Sequence, residues 1–176
     1  MKRIYRAVTI IAFMLITGAG YGAESLNKPI RMAYLQSDIH HLALWIAIEK
    51  GLFEQNGANV EVGGVFKAGP EIMTAFAAGE LDMAYVGEAP ATTAVANKAA
   101  RVVVVSQVNT EGSALVVAKN NTGIDKLSDL RGKTVAVPGH STVQDFLLRR
   151  ALREKGIELK LVNIIVLKPP EMIGAL

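Results

Sequence analysis

The stretch FKAGPEIMTAFAAGELDMAYVGEAP, Phe66 to Pro90, holds two glycine turns and almost nothing able to do covalent chemistry. It contains no Cys, no His and no Ser. What such turns can do is bind. Backbone N–H groups at the start of a helix are unpaired and carry partial positive charge. Glycine lets a ligand approach the main chain, and proline at the first helical position forfeits no bond. A further turn, Pro138-Gly139-His140-Ser141-Thr142, adds an imidazole and two hydroxyls in front of another helix. Reversible capture of a polar or anionic ligand is the chemistry these residue types suit.

Other candidates are weaker. His40 and His41 are adjacent, so on a helix they face different directions, unlike the i and i+4 spacing of a metal pair. Lining a cleft or capping the turn after Asp38 suits them better. The chain has no Cys, which excludes a disulfide framework, a thiolate metal site and a lipid-modified cysteine. Trp45 recurs at core spacing, and Arg149, Arg150, Arg153 and Lys155 with Glu154 read as a solvated helix face. Glu111 is either a hinge acid or an ordinary loop acid. No nucleophile-base pair, metal or cofactor is expected.

The elements that must position these turns alternate. Ile30 to Gln36 is a near-continuous apolar run, as in a strand buried on both faces. Leu42, Trp45, Ile46 and Phe53 predict a helix that Gly57 stops. Val60, Val62 and Val65 mark a strand, 70–79 a helix, 81–86 a strand, 91–100 a helix and 102–105 a strand. A strand at 115–118, a short helix near 127–130 and a strand at 133–137 follow. A helix over 143–155 turns Leu147, Leu148, Ala151 and Leu152 to the core and ends at Gly156. A strand at 161–167 leads to Pro169-Pro170-Glu171, which opens a last helix. This order predicts mostly parallel sheets covered on both faces. In such sheets ligands bind beyond the carboxyl ends of the strands, where the turns after Gln36, Ala68, Val86 and Val137 fall.

The N-terminus reads as a secretory signal peptide over 1–22: Lys2, Arg3 and Arg6, an apolar run of 11 residues from Ala7 to Thr17, then small residues. That run is shorter than the ~20 residues a membrane span needs, so cleavage near Gly22 is preferred over a retained anchor. Removing the three leader cations from 19 basic residues leaves 16 against 16 acids. The sequence pI of 9.2 therefore carries no sign of nucleic-acid binding.

The segments ALWIAIEKGLFEQNG, FKAGPEIMTAFAAGELDMAYVGEAP, SDLRGKTVAVPGHSTVQDFLLRRAL and PPEMIGAL, in that order, resemble the periplasmic solute-binding proteins of ABC importers. The branch is the one serving nitrate, sulfonate and taurine-like solutes. The resemblance implies an α/β, type II periplasmic-binding-protein architecture with two lobes closing on the solute like a hinged trap. It implies a first lobe over 28–107, a crossover at 108–114 and a second lobe over 115–176 that is incomplete, so that the chain is expected to be a fragment or a truncated gene product. It implies solute contacts at Gln36 and Ser37, at Gly69 and Pro70, at Glu88 and Ala89, and at His140, Ser141 and Thr142. His140 departs from the family's plain glycine-serine pattern; it would either donate to an anion or cap the turn. Glu88 would repel a simple anion but suits a zwitterion with an amine or a donor-bearing heterocycle, unless it is a solvated strand-end acid. The expected partners are a small anionic or zwitterionic solute and the importer's membrane permease, with membrane contact only through the latter. The alternatives are an enzyme or a pyrimidine-precursor-binding protein on the same scaffold, or a truncated product that binds nothing.

Overall fold

The computed structural model describes residues 28–120 and 123–176. The leader expected at 1–22 lies outside them. Among the described residues no helix is long and apolar enough to cross a membrane.

Two parallel sheets form the frame. In the first, β1 (Ile30–Leu35) lies between β2 (Val60–Phe66) and β3 (Met83–Ala84). Its register with β2 runs from Ile30 opposite Val60 to Leu35 opposite Phe66, with an irregularity between Met32 and Ala33. The second sheet pairs β4 (Thr134–Val137) with β5 (Asn163–Val166), Val137 lying opposite Val166. The central strand β1 buries Met32 and Ala33, as its apolar run demands.

Helices cover the sheets. After β1 a 3-10 turn, Ile39–His41, runs into α1 (Leu42–Glu49). The single helix expected to reach Gly57 is instead broken: Gly51 takes a left-handed φ of 62° and starts α2 (Leu52–Gln55) afresh. Helix α3 (Gly69–Ala77) follows β2, and α4 (Glu88–Ala96) follows β3. In the second unit α5 (Val143–Glu154) and α6 (Pro169–Ala175) follow β4 and β5. Each unit has its own core. Ala33, Ile72, Met73, Ala75, Leu81, Ala91 and Ala94 pack in the first, and Leu130, Val135, Val137, Leu148 and Leu152 in the second.

Several expectations change in the folded chain. The strand expected at 81–86 forms a ladder only over Met83–Ala84, flanked by single bonds from Asp82 N–H and Tyr85 N–H to Arg31 and Ala33 carbonyls. Helix α4 begins at Glu88, three residues earlier than the periodicity suggests, because Gly87 supplies an extended N-cap and Pro90 fits the first turn. Segments 102–105 and 115–118 have strand composition but no strand structure. A strand exists only through its ladder, and no described strand pairs with either segment. Val103, Val104 and Val105 are accordingly exposed. Leu147 is exposed too and lines the space between the units, whereas Leu148 and Leu152 face the core as expected.

Candidate functional site

The turns at the carboxyl ends of both sheets meet across a cleft of about 1240 Å³. Their approach is close. A methyl placed on Gly87 would lie 2.7 Å from Cγ2 of Val143, the first residue of α5. One placed on Gly139 would come within 3.9 Å of Pro70 at the start of α3. The second unit is tied to segment 109–113 by Gln144, whose Nε2 donates to Ser113 Oγ at 3.2 Å. That segment is tied to the first unit by Asn109, which donates to the His40 carbonyl at 3.1 Å. Glu111 and Gly112 take left-handed backbone angles of 65° and 88°, and Gly112 packs directly on the His40 ring.

Among the nine candidate residues, Ser37, Gly69, Glu88 and Thr142 line this cleft. Pro70, His140 and Ser141 line a smaller hollow of about 300 Å³ with Thr93 and Asn97, behind the contact between Pro70 and Gly139. Gln36 and Ala89 line neither. The tip of the second-unit turn therefore divides the set between two spaces.

The chemistry of each group follows from its partners. The Thr142 hydroxyl is buried and already committed, donating to the Gly139 carbonyl at 2.8 Å and accepting from Asp145 N–H at 3.3 Å. It is a helix cap. Asp145 is buried as well; its carboxylate accepts from Ser141 N–H at 3.0 Å and from Arg149 Nε at 2.7 Å. Together these bonds hold Ser141 at a left-handed φ of 63°. No hydrogen bond engages the Ser141 hydroxyl, the His140 ring or the Glu88 carboxylate among the described residues. Glu88 opens α4 and is exposed.

The turn after β1 brings in residues that sequence reasoning placed only loosely. Asp38 accepts from His40 N–H at 3.1 Å and lies 2.8 Å from His40 Nδ1. His41 is buried; its Nδ1 accepts the Leu35 N–H at 3.0 Å, so that nitrogen carries no proton. Burial pushes the His41 imidazole below its ordinary value, outweighing the pull of Asp38. Its ring meets Tyr85 edge-on at 5.6 Å. Both histidines line the cleft, and among the described residues no cluster of His, Cys, Asp and Glu is arranged to hold a metal. Trp45 lies away from the cleft, edge-on to Tyr34 at 6.3 Å. Asp145 was legible in principle, since Thr142-Val143-Gln144-Asp145 has the spacing of a capping box.

The model of the NMT1-like family matches residues 24–176. The chain belongs to the NMT1-like family. A protein of Brucella abortus (strain 2308), described only as a binding protein, is 34% identical over 149 residues, which cover 85% of this chain and 44% of that one. The taurine-binding periplasmic protein of Escherichia coli K12 is 35% identical over 111 residues, covering 62% of this chain and 33% of its own length. The alkanesulfonate-binding protein of Xanthomonas axonopodis pv. citri, solved bound to MOPS, superposes with a TM-score of 0.62 at 20% identity. That match covers 84% of this chain and 50% of that one, and it bears out the α/β binding-protein architecture. This NMT1-like chain thus spans about half the length of the relatives it matches.

Proposed function

We propose that the chain is the N-terminal part of an extracytoplasmic solute-binding receptor. The receptor captures a small sulfonate-like, nitrate-like or taurine-like solute between its two lobes and delivers it to an ABC importer permease. The observation that carries this reading is the meeting of three strand-end turns, at Gly69, Glu88 and Thr142, around one cleft in which, among the described residues, no serine or threonine hydroxyl is hydrogen-bonded to a histidine. Helix N-termini there supply hydrogen-bond donors and partial positive charge without covalent chemistry, which is what reversible capture needs. The taurine-binding and alkanesulfonate-binding relatives support the solute class and the periplasmic location. The lobe boundaries at 108–114, the cleavable leader at 1–22 and the permease partner belong to the same proposal.

The acids favour a zwitterion within that class. Asp38, Asp82, Glu88 and Glu111 line the cleft beside the cations Lys67 and Arg101, so it offers both a sulfonate and an amine a partner of opposite charge. An amine beside the sulfonate gives such carboxylates a partner. Calorimetric titration of nitrate, ethanesulfonate and taurine into the parent and Glu88→Gln tests this. Taurine binding should weaken about fivefold or more in Glu88→Gln, while ethanesulfonate binding stays level or tightens. Turnover of any of the three, or binding that ignores the substitution for all three, sinks the reading.

A further inference from the structure

Two ion pairs cross between the units at the rim of the cleft. Lys168 Nζ, at the end of the second sheet, lies 2.7 Å from Glu71 Oε1 in the first unit. Lys67 Nζ, at the end of β2, lies 3.9 Å from Glu171 Oε1 in the second unit. The two halves share one local design. Each glutamate is the third residue of its helix and turns one oxygen back to the preceding backbone. Glu71 Oε2 accepts from Lys67 N–H at 3.0 Å and Ala68 N–H at 3.3 Å, and Glu171 Oε2 accepts from Lys168 N–H at 3.2 Å. The other oxygen of each is left facing the lysine of the opposite unit. Each lysine in turn belongs to the turn that the neighbouring glutamate caps. The sequence carries related starts at the two helices, Lys67-Ala68-Gly69-Pro70-Glu71 with the lysine just before the N-cap and Lys168-Pro169-Pro170-Glu171 with the lysine as the N-cap.

This arrangement lowers the entropic cost of a cross-unit ion pair, because the helix cap already fixes the carboxylate. Burial alone would raise the Glu71 carboxyl. Lys168 and the two backbone donors outweigh burial and hold it below its ordinary value. We propose that Glu71–Lys168 and Glu171–Lys67 form a paired latch: positioning residues that hold the two strand-end turns together and so set how tightly the cleft keeps its solute. The effect on affinity rests on the receptor reading above; the effect on closure does not. A cleft that binds only when closed has its apparent affinity scaled by the closed fraction.

The chain has no cysteine, so Glu80→Cys and Arg153→Cys, both at exposed sites on opposite units, give a unique pair of spin labels. Pulsed electron resonance then reads the separation of the units without any solute. Lys168→Glu places a second carboxylate against Glu71 and should lengthen or broaden the distance distribution. Lys168→Arg should keep it as in the parent, and 1 M salt should loosen the parent itself. Lys67→Glu, at an exposed side chain with no backbone role, should act in the same direction, more weakly. Taurine affinity by calorimetry should fall about fivefold in Lys168→Glu and about twofold in Lys67→Glu, the range expected of one or two solvent-accessible pairs. Parent-like distance distributions in both glutamate variants would overturn the latch. If the parent binds neither taurine nor ethanesulfonate, the receptor reading falls by itself, and the label distances still decide the latch.

Discussion

Gly87→Ala isolates the fit between the two units. Gly87 caps α4 with φ −65° and ψ 151°, angles that alanine adopts freely, so the backbone of the first unit pays nothing for the change. The new methyl would sit 2.7 Å from Val143 Cγ2, against ordinary carbon contacts of about 3.5–4.0 Å. The two turns must therefore separate by about 1 Å. Val143 cannot swing aside cheaply, since it is β-branched and helical. Overpacking of this kind costs about 1–3 kcal/mol. Because the clash lies between units, opening the cleft relieves it more readily than distorting either core. Solute affinity should fall between about fivefold and a hundredfold, with the thermal melt of the chain little changed. Calorimetric titration of taurine beside a melt monitored by circular dichroism measures both. The double variant Gly87→Ala/Val143→Ala removes the obstructing methyl and should recover most of the affinity. Parent-like binding in Gly87→Ala, or no recovery in the double variant, refutes the proposition that these turns close on each other around the solute.

The paired hydroxyls should behave differently from one another. Thr142→Ala removes the cap of α5 and should lower stability by about 1 kcal/mol in chemical denaturation, whatever its effect on binding. Ser141→Ala, whose hydroxyl caps nothing and faces the smaller hollow rather than the cleft, should leave both the denaturation midpoint and taurine affinity in place. Stability should also fall on the acid side in two stages. Asp82 is held low by its hydrogen bonds with Arg31, so its contribution is complete above about pH 3.9 and disappears as pH drops through its depressed folded value. His41 is held low by burial, so the unfolded chain takes up that proton first and stability begins to decline below about pH 6.5. A melting-temperature profile from pH 8 to 2 should show the His41 limb and the onset of the Asp82 limb, and Asp82→Asn should flatten the latter.

Much of this protein was legible before folding because its information is local. The apolar run 30–36, the glycine stops at Gly57 and Gly156, and the Gly-Pro and Pro-Pro helix starts each depend on a few neighbouring residues. So did the resemblance to sulfonate-type and taurine-type binding proteins, which the NMT1-like family match and the superposed alkanesulfonate-binding protein bear out. The break at Gly51 was missed because apolar spacing continues across it: Ile46 and Phe53 keep helical phase although the backbone between them does not. The valines at 102–105 have the composition of a strand without its structure, because composition records propensity but not the presence of a partner.

The sequence by itself determined the alternation of strands and helices, the positions of the strand-end turns and the absence of thiol chemistry, since each depends on residue type and short-range spacing. Only the tertiary structure decided which turns share a space. Ser37, Gly69, Glu88 and Thr142 meet in one cleft while Pro70, His140 and Ser141 face another. It also decided what each group has left to give: the Thr142 hydroxyl is consumed by a cap, while the carboxylates of Glu71 and Glu171 reach across to lysines of the other unit. These outcomes depend on contacts between residues up to about a hundred positions apart. No local pattern encodes them; they follow from how two separately packed units come together.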